Sequence, residues 1–191
     1  REEEVELILK RADEMGVLEA IHHDLRYDRE ILAKRGSMRF SASEEDDLVF
    51  MVGLTFLAPP TARTEIAARL NMDTQWSSTL REIGMIKDVL EVLSESGLRA
   101  GDIYRSLREY TLASIEMCVL FVEDAGAVQR LRMFLDKLRH IKPILSGDDL
   151  NKLGVPEGPI VGRLLEDLLT ARMEGLVETR KDEENMVLRN L

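Results

Sequence analysis

Apolar residues recur at intervals of three and four along most of this chain, the spacing of one face of a helix. Residues 2–15 carry Val5, Ile8, Leu9, Ala12 and Met15 as an inward stripe, open on glutamates and stop at Gly16, which predicts an amphipathic helix. A short helix over 17–25 follows, with Leu18 and Ile21 inward, and continues or restarts over 27–35 up to Gly36. Residues 36–42 are small and polar and are the best candidate for a mobile segment. Ser43, with Asp46 in place of the usual Glu or Gln, approximates a capping box. It opens a helix through Leu48, Val49, Met51, Val52, Leu54 and Phe56, apolar enough to be central to a bundle. The acidic run 44–47 reads as solvated carboxylates that offset the helix dipole, not as a metal patch.

Pro59 and Pro60 break the chain, and 61–70 reads as the next helix. Residues 71–73 turn, and Asp73 or Thr74 caps a longer helix to about residue 95 with Gly84 inside it. After a break at 97–101, Asp102 is expected to cap a helix over 103–109. Residues 112–122 are so apolar that they predict the most buried helix beyond residue 100. A turn at 124–126 leads into a helix over 128–141 with Val128, Leu131, Leu135 and Leu138 inward.

The tightest local pattern runs from Ile144 to Leu165. Ser146 and Gly147 start a short helix with Asp148 and Asp149 in its first turn, and Leu150 and Leu153 point inward. Gly154 closes it as a glycine free to take positive φ. Residues 155–159 bend, and Pro159 suits the first position of a second helix with Ile160, Val161, Leu164, Leu165, Leu168 and Leu169 on one stripe. The amides at the start of that helix can hold a phosphate. A well-capped hairpin closing a domain is the competing reading. Beyond Gly175 come a short extended segment, 176–180, and a last helix with Met186, Val187 and Leu188.

Composition agrees with helices: aromatics are 5% of the 191 residues and hydrophobic residues 45%. The fold class is therefore all-α, a curved multi-helix array of about eight to ten helices ending in a C-terminal helical hairpin. A helical body over 1–142 and a helical tail over 143–191 divide it. The single Cys118 excludes an intramolecular disulfide and reads as a small buried hydrophobe. No stretch has the length of a membrane span and no signal peptide is visible, so the expectation is cytoplasmic and free of membrane. The chain starts on Arg1 in helical sequence and is expected to be a piece of a longer protein.

A formal charge of −10 argues against a protein that coats nucleic acid generally, but not against a local basic face. Arg130, Arg132, Lys137, Arg139 and Lys142 against Asp136 form the one concentrated basic ridge, on the predicted helix that leads into the hairpin. Basic residues late in a helix also suit its C-terminal dipole, which is the bland explanation. His22 and His23 would point about 100° apart on a helix and so share no metal face by themselves, and with only His140 and Cys118 besides them no zinc ligand set and no metal site is expected. Residues 64–80 resemble a helix-turn-helix with Trp76, Ser77 and Ser78 near the start of a recognition helix, but only Gln75 and Arg81 suit base edges.

Gly147, Asp149, Leu150, Leu153, Gly154, Gly158, Pro159, Gly162, Leu165 and Gly175, with a weaker match over 15–25, resemble the RNA-binding half of class II tRNA nucleotidyltransferases and their bacterial poly(A) polymerase relatives. His23 stands where Pro commonly follows the His of that family. The resemblance implies a head that transfers nucleotides with two metal-bound carboxylates, a neck that selects the base, and a helical body and tail that hold tRNA. The head's Asp-x-Asp and the neck's Glu-Asp-x-x-Arg and Arg-Arg-Asp motifs do not occur here, so no catalytic residue is assigned. Mg2+ and a nucleoside triphosphate are implied for an upstream head in the same parent chain, and no cofactor for these residues. The partner is expected to be tRNA or another structured RNA. Its expected contacts are Arg130, Lys137, Arg139, Lys142, Gly147, Lys152, Gly154, Gly158, Ile160 and Arg163. The rival readings are a helical protein-interaction module without RNA binding, and DNA reading at 64–80.

Overall fold

The computed structural model describes residues 2–30 and 43–189, with side chains from residue 5 and from residue 47. The expected loop at 36–42, most of the helix expected over 27–35 and the capping box at Ser43 lie outside what is described. Among the described residues there are eleven α-helices and no strand. They are α1 (Glu2–Glu14), α2 (Val17–Ile21), α3 (Ser43–Thr55), α4 (Pro60–Arg69), α5 (Thr74–Ser94), α6 (Ala100–Leu107), α7 (Leu112–Phe121), α8 (Ala125–Asp136), α9 (Gly147–Lys152), α10 (Pro159–Met173) and α11 (Arg180–Arg189). The chain divides into two compact units: Arg1–Ser94 with Tyr110–Leu131, and Glu95–Glu109 with Arg132–Leu191.

The first unit is built on two helices apolar on nearly every side. On α3, Leu48, Val49, Phe50, Val52 and Leu54 are buried, and so are Ile115 and residues 117–121 of α7. Helices without a polar face belong in the interior. Phe56 and Phe121 meet with ring centroids 5.4 Å apart. Each such side chain taken from water contributes about 1.5–3 kcal/mol. Around this pair, α5 buries Leu80, Ile83, Ile86 and Leu93, and packs on both α4 and α7. Asp73 caps α5 by accepting the Trp76 N–H at 2.8 Å.

The carbonyls that end α3 are met by cations. Arg63, 2% exposed, donates to the Thr55 carbonyl (3.1 Å) and the Phe56 carbonyl (2.8 Å). Lys87 adds a 2.7 Å bond to the same Phe56 carbonyl. Gly84 makes room for this group, since a Cβ there would lie 3.0 Å from Arg63 Nη1. The neighbouring Cys118 is buried, which pushes its thiol pKa up to about 12.

Three local expectations for the first unit need correction. Val5, Leu9 and Ala12 pack on the core, but Ile8 and Met15 are 64% and 70% exposed. They lie on one flank of the predicted stripe, and the neighbouring helices cover only its centre line. The second helix ends at Ile21, because His22 is extended (φ −159°, ψ 138°) and its Nδ1 accepts the Asp24 N–H at 3.1 Å. That side-chain bond competes with the next helical turn. His22 and His23 are thus not successive helical residues; their rings stack with centroids 4.4 Å apart.

In the second unit, α6 packs on α10 at Gly101, where a Cβ would come within 2.8 Å of Thr170 Cγ2. Arg108 pairs with Glu166, and Arg105 donates to Thr170 at 3.4 Å. α6 starts two residues before the expected Asp102 cap. Ala100 and the close-packed Gly101 form its first turn, and Asp102 pairs with Arg99 and Arg105 instead. Leu145, Leu150, Val155, Leu164, Leu168 and Val187 make the core beneath α9, α10 and α11. The helix expected over 128–141 stops at Asp136. Lys137 leaves helical geometry (φ −129°), and Leu138–His140 form one 3-10 turn before Pro143.

Candidate nucleic-acid interface

The hairpin is built as its spacing predicts. The Ser146 hydroxyl accepts the Asp149 N–H at 3.3 Å, and the Asp149 carboxylate accepts the Ser146 N–H at 3.0 Å, a complete capping box. Those bonds, the Ser146 hydroxyl and then Arg180 (2.7 Å) hold the Asp149 carboxyl far below the ordinary carboxylate range. At the other end of α9, Gly154 takes φ +95°. The Val155 N–H reaches the Leu150 carbonyl (3.1 Å) and the Gly154 N–H the Asn151 carbonyl (3.0 Å), a Schellman closure. Gly158 (φ +135°) precedes Pro159 at the first position of α10. Pro159 has no backbone N–H to donate, and the Val161 N–H bonds the Gly158 carbonyl at 3.1 Å. The Ile160 N–H makes none of the described hydrogen bonds.

The segment that feeds the hairpin is held from below. Glu183, 0% exposed, accepts the Ile144 N–H (2.9 Å), the Leu145 N–H (2.8 Å) and an Arg172 guanidinium N–H (3.1 Å). The sequence reading missed this residue. Its signal was a carboxylate one helical turn before the inward Val187, on the buried line of an otherwise polar helix.

The expected contact residues separate into groups. Lys137, Lys142, Lys152 and Arg163 are exposed, and no described ion pair engages them. Arg139 is half-buried, with Nε donating to the Leu135 carbonyl at 2.6 Å and facing the His140 ring nitrogen at 3.0 Å. Ile160 packs against the core, and Gly147 begins α9, where a Cβ would sit 3.4 Å from Val161 Cγ1. Gly154 and Gly158 carry the turns. Arg130 falls in the first unit and donates to the Leu93 carbonyl. The basic ridge is therefore not the face of one helix: Lys137, Arg139 and Lys142 follow the end of α8, on a 3-10 turn and a linker.

Charge is divided unequally between the units. The second carries thirteen Lys and Arg against fourteen Asp and Glu, a formal −1, so −9 of the chain's −10 belongs to the first. Most arginines on or next to α6, α10 and α11 are tied to carboxylates, as in Arg108–Glu166, Arg172–Glu183 and Arg180–Asp149. Lys137, Lys142, Lys152 and Arg163 are left to solvent.

At positions 64–80, α4 and α5 are joined by a turn at 70–73 with Asn71 in the left-handed region (φ +49°). Gln75 and Arg81 are exposed there, and Glu82 accepts the Thr111 N–H at 3.0 Å. No described helix is long and apolar enough to cross a membrane.

An all-helical chain with a near-neutral hairpin unit is what these observations define. The chain is 27% identical, over 205 aligned positions, to an A-adding tRNA nucleotidyltransferase of Geobacter sulfurreducens. The match takes in 99% of this chain and 23% of that protein, so the chain spans under a quarter of its relative's length. That similarity supports a related family. No family model matches the chain, and no solved structure matches it.

Proposed function

We propose that the second unit binds the sugar–phosphate backbone of tRNA or another structured RNA, as part of a protein related to tRNA nucleotidyltransferases. The division of charge is the observation that carries this reading. In an acidic chain, the unit with the hairpin is almost neutral and leaves Lys137, Lys142, Lys152 and Arg163 unpaired among the described residues. Backbone recognition needs such cations, glycines that permit close approach, and helix-start amides. Gly154, Gly158 and the Ile160 amide supply the last two. The weak match to an A-adding enzyme across nearly the whole chain supports the same class of partner.

Nucleotide addition is proposed only for a parent protein that carries a head in addition to these residues. The described residues do not fit the Mg2+ and nucleoside triphosphate of such a head. Their one group of converging ligand atoms is His22, His23 and Asp24, and imidazole nitrogen does not suit Mg2+. No catalytic step is therefore assigned.

Binding of labelled tRNA to the 191-residue chain, measured from low to moderate salt, tests the proposal. Affinity should fall steeply with salt. Reversing Lys142, Lys152 and Arg163 to Glu should flatten the log–log slope by about 2–3 if each meets one phosphate. An unchanged affinity in the reversed variant, with its circular dichroism intact, would remove this surface from consideration. Duplex DNA bound as tightly as tRNA would point instead to residues 64–80.

A further inference from the structure

We propose that His22, His23 and Asp24, supported by Glu65, form a site for one borderline divalent cation, best matched by Zn2+. One ligand atom from each of the first three residues lies within 4.8 Å of the others. His23 Nε2 is 3.3 Å and His22 Nδ1 3.8 Å from Asp24 Oδ2. Tetrahedral zinc, with ligands at about 2.0–2.1 Å, places donor atoms roughly 3.3–3.5 Å apart. The two carboxylate–imidazole separations are therefore already near what the ion needs.

The tautomer of His22 is set for this role. Its Nε2 lies 3.0 Å from Glu65 Oε2 on α4, and its Nδ1 accepts the Asp24 N–H. The ring proton thus sits on Nε2 and is shared with Glu65, leaving the Nδ1 lone pair on the side of Asp24. A carboxylate on the far nitrogen of a ligating histidine fixes ring orientation and raises its basicity. The cation would replace the Asp24 N–H at Nδ1 and the proton between His23 and Asp24. Water would take the remaining position.

The backbone presents these groups from a fixed support. Leu18 before them and Leu25 after them are 4% and 1% exposed in one core cluster, and the Leu25 N–H bonds the His22 carbonyl at 2.9 Å. His22 itself has a side chain only 10% exposed, whereas that of His23 is 77% exposed and free to turn towards the ion. Two nitrogens and a carboxylate select Zn2+, Ni2+ or Cu2+ over Mg2+. The ion would fasten the end of α2 to α4 through His22 and Glu65.

Calorimetric titration with Zn2+, and Co2+ titration followed by its visible absorption, test the site on the full 191-residue chain. One ion per chain is expected, with Co2+ giving the intense bands of a four-coordinate site and millimolar Mg2+ failing to compete. His23→Asn, at an exposed position that leaves the fold intact, should weaken Zn2+ binding at least tenfold. Glu65→Gln should weaken it by about 10–100-fold, as removal of an orienting carboxylate does. His140→Asn should leave it unchanged. Zn2+ binding that survives His23→Asn, or that is lost in His140→Asn, would overturn the proposal, as would no heat and no Co2+ spectrum in the parent chain.

Discussion

Replacing Glu183 with Ala is the sharpest test of how the hairpin is supported. The carboxylate has no exposed surface and receives the Ile144 N–H, the Leu145 N–H and the Arg172 guanidinium within 3.1 Å. Alanine leaves both amides without an acceptor, at about 1–3 kcal/mol for each buried unsatisfied group. It also strips the charge partner from Arg172, whose side chain keeps 23% exposure and so recovers part of that loss from water. Breaking a buried pair costs about 3–5 kcal/mol, and the two routes agree on about 4 kcal/mol. Glu183→Gln keeps one carbonyl acceptor and loses the charge, so about 1–2 kcal/mol is expected. A typical domain has about 5–15 kcal/mol of stability, so Glu183→Ala removes a large share of it. Hydrogen exchange of the Ile144 and Leu145 amides reads the effect at its source. At about 1.4 kcal/mol per tenfold, their protection should drop about a thousandfold in Glu183→Ala. Exchange within threefold of the parent would refute the account of Glu183 as the support beneath this segment.

Gly84→Ala should destabilise the first unit by about 1–2 kcal/mol in urea unfolding, although Gly→Ala inside a helix ordinarily stabilises by about 1 kcal/mol. The added Cβ would lie 3.0 Å from an Arg63 guanidinium already held by two carbonyls, and a gain in stability would contradict that picture. Asp149 has a depressed folded pKa, so its contribution is full above the unfolded value of about 3.9 and is lost as pH falls through the folded value. Its carboxyl resonance should therefore titrate well below pH 3.9 in the parent chain and move up in Arg180→Ala. The Cys118 thiol, with its pKa raised to about 12 by burial, should resist iodoacetamide at pH 8 and react at once in urea. Ready labelling of the folded chain would place that residue elsewhere.

The helix order was legible because periodicity and punctuation agree. Gly16, Asn71, Gly97, Gly154 and Gly175 all adopt positive φ at breaks the sequence marks, and Asp73 caps where its position next to Thr74 predicts. The failures have separate causes. Periodicity says which residues can face inward, but not how much of that face a neighbour covers, so Ile8 and Met15 lie on the predicted inward stripe and yet stand exposed. A helix end set by a side chain bonding its own backbone, as at His22, leaves no mark in apolar spacing. Contacts between distant segments are hidden for the same reason: His22 meets Glu65 across 43 residues, and Glu183 meets Ile144 across 39. Of the proposed RNA contacts, the turn glycines were readable from local rules. The sorting of cations was not: Arg130 is engaged by the Leu93 carbonyl, 37 residues away, which only the fold brings to it, and Arg139 turns back onto the Leu135 carbonyl where the helix ends earlier than its spacing predicts.

Net charge misleads about partners when it is unevenly placed. A formal −10 spread over the whole surface would oppose any polyanion. Here −9 belongs to one unit, and the other holds most of its carboxylates against its own arginines and backbone amides. Asp149 is held by Ser146 and Arg180, Glu183 by Ile144, Leu145 and Arg172, and Glu166 by Arg108. Such internal neutralisation leaves Lys142, Lys152 and Arg163 to act outward. At about 0.15 M salt the Debye length is about 8 Å, so a phosphate at the hairpin responds mainly to charges within that range. On the proposed reading, the charges around the hairpin and not the net charge of the chain decide whether such a phosphate is held.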